Sequence, residues 1–327
     1  MKAVVFDQVG DPEQVLYLAD LPVPRISKNE VLVKMVAASI NPGDFLFIRN
    51  LYPDPKKPAF PAQVGGNHGA GIIVETGPDS SLAPGALVAF SYYNTWAEYA
   101  TVPEEWLIPL PDLLAPEKAG QLVNAITAYD LVEMSGVRET DWLVITAGNA
   151  AVSTMAAQFA SAKGINVITF VRSRNPAIPL EKMGCAAVIE LTAFDGDTRK
   201  IIGEITGGQG ISGVIDNVGG PLTAALIRSL NFGGKVIING GMSDENYNLH
   251  NFDILLNGVQ ITPYVYRYFF APPARGDKAY LDKMLAVYSR KDFIVPVAGL
   301  HALSGFRKAV HSTLYQSGGG KHLFSFT

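Results

Sequence analysis

Between residues 142 and 239, four short segments are apolar almost without interruption: WLVITA, NVITFV, GVIDNV and KVIIN. A strand with one wet face alternates apolar and polar residues. Continuous apolar runs instead suit strands covered on both faces. Stretches of helical spacing separate the runs: NAAVSTMAAQFASAKG, TRKIIGEITGG and TAALIRSLNFGG. PAIPLEKMG reads as a further helix of the series and AAVIEL as a further strand. Strand and helix alternating over short connections specify a parallel, doubly wound sheet.

The residues before Pro116 follow another rule. VLYLADLPVP, NEVLVKMVAASI, GAGIIVETG, GALVAFSYYN and AEYATVPEEWLIPLP are short apolar or alternating runs broken by Pro, Gly and Asp. That punctuation predicts a β-rich barrel or sandwich. The dense prolines from Pro53 to Pro61 predict an extended surface loop. EKAGQLVNAITAYDLVEMSG has helical spacing. Beyond Pro263 the pattern loosens, with a helical YLDKMLAVYSRK and a terminal strand in GGGKHLFSFT. The expected division is an α/β protein with a β-rich domain from 1–120 and 266–327, and a nucleotide-binding domain from 121–265.

Charge and cysteine usage narrow the partners. Net charge is -4, and no basic run exceeds Lys56-Lys57. That argues against nucleic acid and anionic membrane surfaces as partners. No apolar run approaches the roughly 18 residues of a membrane span. MKAVVFDQVGDPE turns polar too soon for a signal peptide and lacks the arginines of a transit peptide, so a cytoplasmic protein is expected. The single cysteine, Cys185, excludes an internal disulfide and a cysteine-rich zinc site. It reads as a small buried apolar residue where a helix gives way to a strand.

The segment WLVITAGNAAVSTM puts a tight turn between a strand and a helix, which aims backbone N–H groups and a helix N-terminus at a phosphate. The turn AGNAAVS carries small residues where a dinucleotide fingerprint has glycines. The next strand ends in Arg172, Ser173 and Arg174, where an NAD site keeps an acid for the ribose 2′-OH. Two guanidinium forks and a hydroxyl suit a 2′-phosphate, so the expected cofactor is NADPH. Two solvated arginines at a surface turn are the plain alternative.

With MKAVVFDQVGDPEQVL, AASINPGDF, GGNHGAGIIVETG, NAITAYDLV, DNVGG and VIINGGM, in this order and spacing, the chain resembles the medium-chain dehydrogenase/reductase superfamily. The resemblance implies a GroES-like catalytic domain joined to a Rossmann domain. It sets Asn41, Asn67 and Val123 at the three positions where zinc-dependent alcohol dehydrogenases hold their metal, and His68 at a glutamate position. None of the three is a good zinc ligand, so no metal is expected. Ile40-Asn41-Pro42-Gly43-Asp44, Tyr52-Pro53 and Gly65-Gly66-Asn67-His68-Gly69 resemble the mitochondrial-type trans-2-enoyl thioester reductases. His68 for Glu departs from that pattern.

That likeness implies a small-molecule substrate and hydride transfer from NADPH to its C=C bond conjugated to a carbonyl, with Tyr52 as hydrogen-bond and proton donor. Asn41, Asp44 and Asn67 join it as candidate catalytic residues, and Asp44 reads equally well as a helix cap. Implied cofactor contacts are Asn124, Thr127, Asn149, Ala150, Ala151, Val152, Arg172, Ser173, Arg174, Asn217, Gly240, Gly241, Met242, Tyr264, Val265, Tyr266 and Lys321. Trp96 lines the cleft or packs the barrel; Glu105, Asp141 and Glu190 read as solvated. An NADPH:quinone reductase and a non-catalytic NADPH-binding redox sensor remain as alternatives. By analogy a homodimer is expected, paired through VYRYFF or KVIING as an edge strand.

Overall fold

The computed structural model describes residues 1–53, 56–194, 196–316 and 319–326. Asp54 and Pro55 of the proline-dense stretch, and Gly318 and Thr327 of the terminal segment, lie outside the described residues. The chain divides into two units: residues 1–123, 267–282 and 295–327, and residues 124–266 with 283–294.

The first unit opens with β1 (Lys2–Phe6), α1 (Pro12–Val15), β2 (Tyr17–Asp20), β3 (Glu30–Ser39), α2 (Pro42–Ile48), β4 (Gln63–Val64) and β5 (His68–Thr76). It continues through β6 (Leu87–Ser91), β7 (Tyr99–Pro103), β8 (Leu107–Pro109) and α3 (Pro116–Ala119). The second unit carries α4 (Leu122–Ser135, whose first two residues belong to the first unit), β9 (Trp142–Ile145), α5 (Ala151–Ala162), β10 (Asn166–Val171) and β11 (Cys185–Glu190). There follow α6 (Thr198–Ile205), β12 (Ile211–Asp216), α7 (Pro221–Arg228), β13 (Leu230–Ile238), α8 (Asn251–Leu255) and β14 (Gln260–Pro263). Helix α9 (Lys278–Tyr288) is divided between the units; β15 (Val297–His301), α10 (Phe306–Tyr315) and β16 (Lys321–Ser325) return to the first.

In the first unit, β15-β16-β3-β5-β6-β8 form one sheet, with β7 also pairing β3, and β2-β1-β4 form a small second sheet. Phe6, Phe47, Phe90, Trp96 and Phe324 fill the core between them. Trp96 is fully buried, with its ring 5.4 Å from Phe324, so it packs the β-rich core. The glycines of GGNHGAG are explained by this packing. A Cβ on Gly65 would come within 2.5 Å of the Trp96 ring, and one on Gly71 would run into the Lys34 carbonyl. Gly66, at φ +81°, is also in the region that favours glycine.

The second unit holds a parallel sheet ordered β11-β10-β9-β12-β13-β14. This is the dinucleotide-fold order 3-2-1-4-5-6, whose ligand crevice lies where the order reverses, between β9 and β12. Val144, Ile168, Val214 and Val236, from the four apolar runs, are fully buried. Two expectations are corrected. PAIPLEKMG forms turns rather than a helix, with Pro176, Pro179 and Gly184 interrupting any regular ladder. KVII lies inside the sheet between β12 and β14, and VYRYFF is not a strand; the edge on that side is QITP of β14, and β11 forms the other edge. Cys185 opens β11 and is buried; burial pushes its thiol up to about 12, which keeps it protonated. Among the described residues, no helix is long and apolar enough to cross a membrane.

Candidate active site

In the first unit the chain leaves β3 at Ser39 and turns into α2 at Pro42, a residue suited to the first helical turn. That turn buries Asp44 completely. Its Oδ2 accepts the Asn41 backbone N–H at 2.7 Å, and its Oδ1 accepts the Asn67 backbone N–H at 2.9 Å and the Asn67 Nδ2 at 3.0 Å. Asp44 therefore caps α2 and organises the site at once. Burial pushes its carboxyl up to about 6, opposed by these hydrogen bonds and by Lys321. Asn41 donates its side-chain amide to Ser39 Oγ at 2.8 Å.

Four further polar groups face this carboxylate or one another. Burial holds the Tyr52 phenol above its usual range, and Asp44 adds to that. The Tyr52 hydroxyl occupies the space that a Cβ on Gly43 would take, so the glycine makes room for it. Its ring packs edge-on against Phe269 at 4.9 Å. Lys321 opens β16, and burial lowers its ammonium to about 8 while Asp44 opposes the change. Lys56 is buried too, and the same two influences bring it to about 8. His68, first residue of β5, is driven down to about 3 by burial and then by Lys56 and Lys321. It is a neutral imidazole at physiological pH. Sequence reasoning missed Lys56; a lysine in a proline-dense loop gives no signal of burial.

The positions implied for zinc do not suit it. Asn41 and Asn67 offer neutral amides that donate to Ser39 and Asp44, although Asn67 Oδ1 has no partner among the described residues. Val123 has no donor at all. Among the described residues, no cluster of three His, Cys, Asp or Glu could hold a metal.

In the second unit, β9 runs into Thr146, Ala147, Gly148 and Asn149 before α5 begins. Ala147 takes φ +53°. Gly148 is needed for close approach, since a Cβ there would lie 2.9 Å from Val171 and collide with Thr169. Ala150 precedes the helix without a side-chain cap, which leaves the first-turn amides of Ala151 and Val152 available to a ligand. Asn149 donates Nδ2 to the Ser173 carbonyl at 2.9 Å, tying the turn to the loop after β10. Its Oδ1 is buried without a partner among the described residues, as is Asn124 Nδ2 on α4. Thr127 lies buried on the same helix.

Beneath the turn lies a polar network that sequence reasoning did not isolate. Asp216, at the end of β12, accepts from Thr146 Oγ1 at 2.9 Å and Thr223 Oγ1 at 2.7 Å. Asn217 donates to the Thr146 carbonyl at 3.0 Å and to Ser153 Oγ at 3.2 Å, and accepts from Asn239 at 2.6 Å. Its amide is thus committed to protein partners and fixes the turn against β12 and β13. The motif DNVGG carried this signal, but only the fold revealed which groups it would meet.

The other implied contacts differ in environment. Arg172, Ser173 and Arg174 are exposed after β10. Arg174 pairs with Glu181 and lies 3.9 Å from Glu190, so Glu190 is an ion-pair partner rather than a merely solvated acid. Gly240 follows β13, and a Cβ there would lie 2.6 Å from the Asn217 carbonyl; Gly241 faces open space, and Met242 is 75% exposed. Tyr264, just past β14, donates its hydroxyl to Asp130 on α4 at 3.0 Å; Val265 is exposed and Tyr266 half-buried. Lys321 belongs to the Asp44 cluster of the first unit.

Residues 27–112 match the family described as "Alcohol dehydrogenase GroES-like domain", and 151–275 the one described as "Zinc-binding dehydrogenase". The chain is 28% identical over 317 residues to the mitochondrial enoyl-[acyl-carrier-protein] reductase of Yarrowia lipolytica, covering 92% of this chain and 83% of that protein. It is 30% identical over 268 residues to the Schizosaccharomyces pombe enzyme of the same name, covering 75% of this chain and 71% of the relative. The Escherichia coli quinone oxidoreductase, solved with NADPH, shares the fold at a TM-score of 0.84 and 21% identity, over 99% of this chain and 100% of that one. A β-rich unit with asparagines and a valine at the metal positions, a 3-2-1-4-5-6 sheet and these relatives converge: the chain belongs to the medium-chain dehydrogenase/reductase superfamily of oxidoreductases, in kinship with the mitochondrial enoyl-[acyl-carrier-protein] reductases.

Proposed function

We propose that this protein is a zinc-independent, NADPH-dependent reductase of C=C bonds conjugated to a carbonyl, with a 2-enoyl thioester as substrate. The observation that carries this reading is the Tyr52 hydroxyl, seated against Gly43 in the cluster formed by Asp44, the buried Lys56 and the half-buried Lys321. Such a phenol is neutral at physiological pH and available as a donor, and a donor aimed at a developing oxyanion lowers its energy. The curated relatives named enoyl-[acyl-carrier-protein] reductase support the substrate class. Asn41, Asp44 and Asn67 keep the donor site in shape.

The nucleotide turn suits NADPH, which supplies hydride when bound. The uncapped α5 amides of Ala151 and Val152 would take its pyrophosphate, and the unpartnered Asn149 Oδ1 and Asn124 Nδ2 offer further contacts. Arg172 and Ser173 would take the 2′-phosphate, with Arg174 shared between that group and the carboxylates of Glu181 and Glu190. Arg172→Ala should lower the NADPH-over-NADH preference in kcat/KM by about 10- to 100-fold, the worth of one charged hydrogen bond. Equal kcat/KM for both cofactors in the wild type would refute the assignment.

The competing reading is a quinone reductase, whose hydroquinone oxygens can draw protons from water. NADPH oxidation with crotonyl thioesters should far exceed that with 1,4-benzoquinone or 9,10-phenanthrenequinone. The reverse order would favour the quinone reading.

A homodimer through β14 belongs to the same proposal. The strand is an open edge, and Phe232, Phe252, Leu255, Leu256 and Ile261 of the second unit are exposed around it. Sedimentation equilibrium should give a dimer that Ile261→Lys weakens; a wild-type monomer at micromolar concentration would end this part. Cytoplasmic residence is proposed as well, in keeping with a reduced, buried Cys185. Localisation of a tagged chain to an organelle would overturn it.

A further inference from the structure

Lys56 is 4% exposed. Its ammonium lies 4.8 Å from the centroid of the Phe269 ring and 5.5 Å from that of Tyr93. Tyr52 packs edge-on against the same Phe269 ring, so one aromatic residue seats both the phenol and the ammonium. Aromatic faces attract a cation but do not replace its water, and burying an ammonium against them costs stability. A cation kept where it destabilises the fold calls for a functional reason.

The charges around it define the field. Asp44 on α2 favours the ammonium. Lys321 on β16 is the second cation of the cluster, and His68 on β5 is neutral. Tyr52 and Tyr93 are uncharged phenols held above their usual range. At neutral pH two ammonium groups therefore stand against one carboxylate. The excess is positive, in a place shielded from water, where a charge acts more strongly than in bulk solvent.

We infer that Lys56 is the cationic half of an oxyanion pocket whose neutral half is Tyr52. The inference rests on the enoyl reductase reading. When the β-carbon of the substrate accepts hydride, its C=C π pair moves toward the carbonyl and an enolate oxygen forms. The Lys56 ammonium stabilises that oxygen. The Tyr52 hydroxyl transfers its proton to the α-carbon, completing the new C–H bond, and recovers one from water. Lys56 keeps its own proton throughout and lowers the energy of both the enolate and the transient tyrosinate.

The test is Lys56→Met, with Lys56→Gln as a second variant in case the first folds poorly. Crotonyl thioester reduction is followed from pH 6 to 9.5, NADPH affinity by nicotinamide fluorescence, and folding by urea denaturation. Wild-type kcat should fall as pH rises through about 8, where Lys56 loses its charge. In the variant, kcat should drop about 10²- to 10³-fold, the usual cost of one oxyanion donor. KM and the NADPH dissociation constant should stay within about twofold, and that alkaline limb should shrink to whatever Lys321, also near 8, supplies. A folded variant with near-wild-type kcat overturns the inference, as does one in which only KM rises, which would make Lys56 a ground-state anchor. A lowered kcat that retains the same alkaline limb also overturns it. A wild-type enzyme inert toward thioesters overturns the reading beneath, and the inference with it. Wild-type turnover matched by the variant overturns the inference alone.

Discussion

Tyr52→Phe should reduce kcat for a 2-enoyl thioester about 10²- to 10³-fold, the cost of removing one donor at a developing oxyanion. The change deletes a single oxygen. The ring keeps its edge-on contact with Phe269, and Gly43 keeps the space that now holds the hydroxyl. Folding should therefore be almost unaffected, and the NADPH dissociation constant unchanged. The two losses that would look alike in an activity assay are separated by direct binding. Turnover within about threefold of wild type would remove Tyr52 from the chemistry. With a quinone as acceptor the same variant should lose little, because the product oxygens are protonated by water.

Asp44→Ala should cost about 3–5 kcal/mol of folding stability at pH 7, measured by urea unfolding. The carboxylate accepts three hydrogen bonds in a fully buried position, and its removal strands the N–H groups of Asn41 and Asn67. Lys56 and Lys321 would also lose the charge that favours their protonated forms. Yet the charged carboxylate is itself a strained choice. Its pKa is about 6 in the folded protein against an ordinary 3.8, so the native state holds the proton more tightly than the unfolded chain. Stability from this group is greatest below 3.8 and declines as pH rises through 6. The shift corresponds to about 3 kcal/mol. Measured against Asp44→Asn, the wild type should lose roughly that amount between pH 4 and pH 7. A pH-independent difference between the two proteins would show that Asp44 ionises there as an ordinary carboxylate.

Much of the architecture was legible because burial leaves periodic marks. VITFV and the Val214-Ile215 pair of VIDNV are strand residues buried on both faces, and their apolar continuity is sufficient to say so. PAIPLEKMG misled because its apolar residues have helical spacing, while its prolines cannot supply the helical N–H bonds. The edge of the sheet was misassigned for a different reason. KVII and QITP are both short, and which of them pairs on two sides is decided by strand order rather than by length.

The residues around the site divide the same way. INPGDF and GGNHG singled out Asp44 and Asn67, which the fold joins by hydrogen bonds, while the close packing of the glycines against Trp96 and Lys34 emerged only from the fold. What the sequence could not express is proximity. Asp44, Lys56, His68 and Lys321 act on one another across most of the length of the chain, from Asp44 to Lys321. Their electrostatics follow from burial and distance, which only the folded β-rich unit sets. His68 of GGNHGAG became a neutral neighbour of two cations, and a lysine in a proline-dense loop became a buried charge against the Phe269 ring that also packs Tyr52, because desolvation is a property of the place a side chain occupies and not of the residue itself.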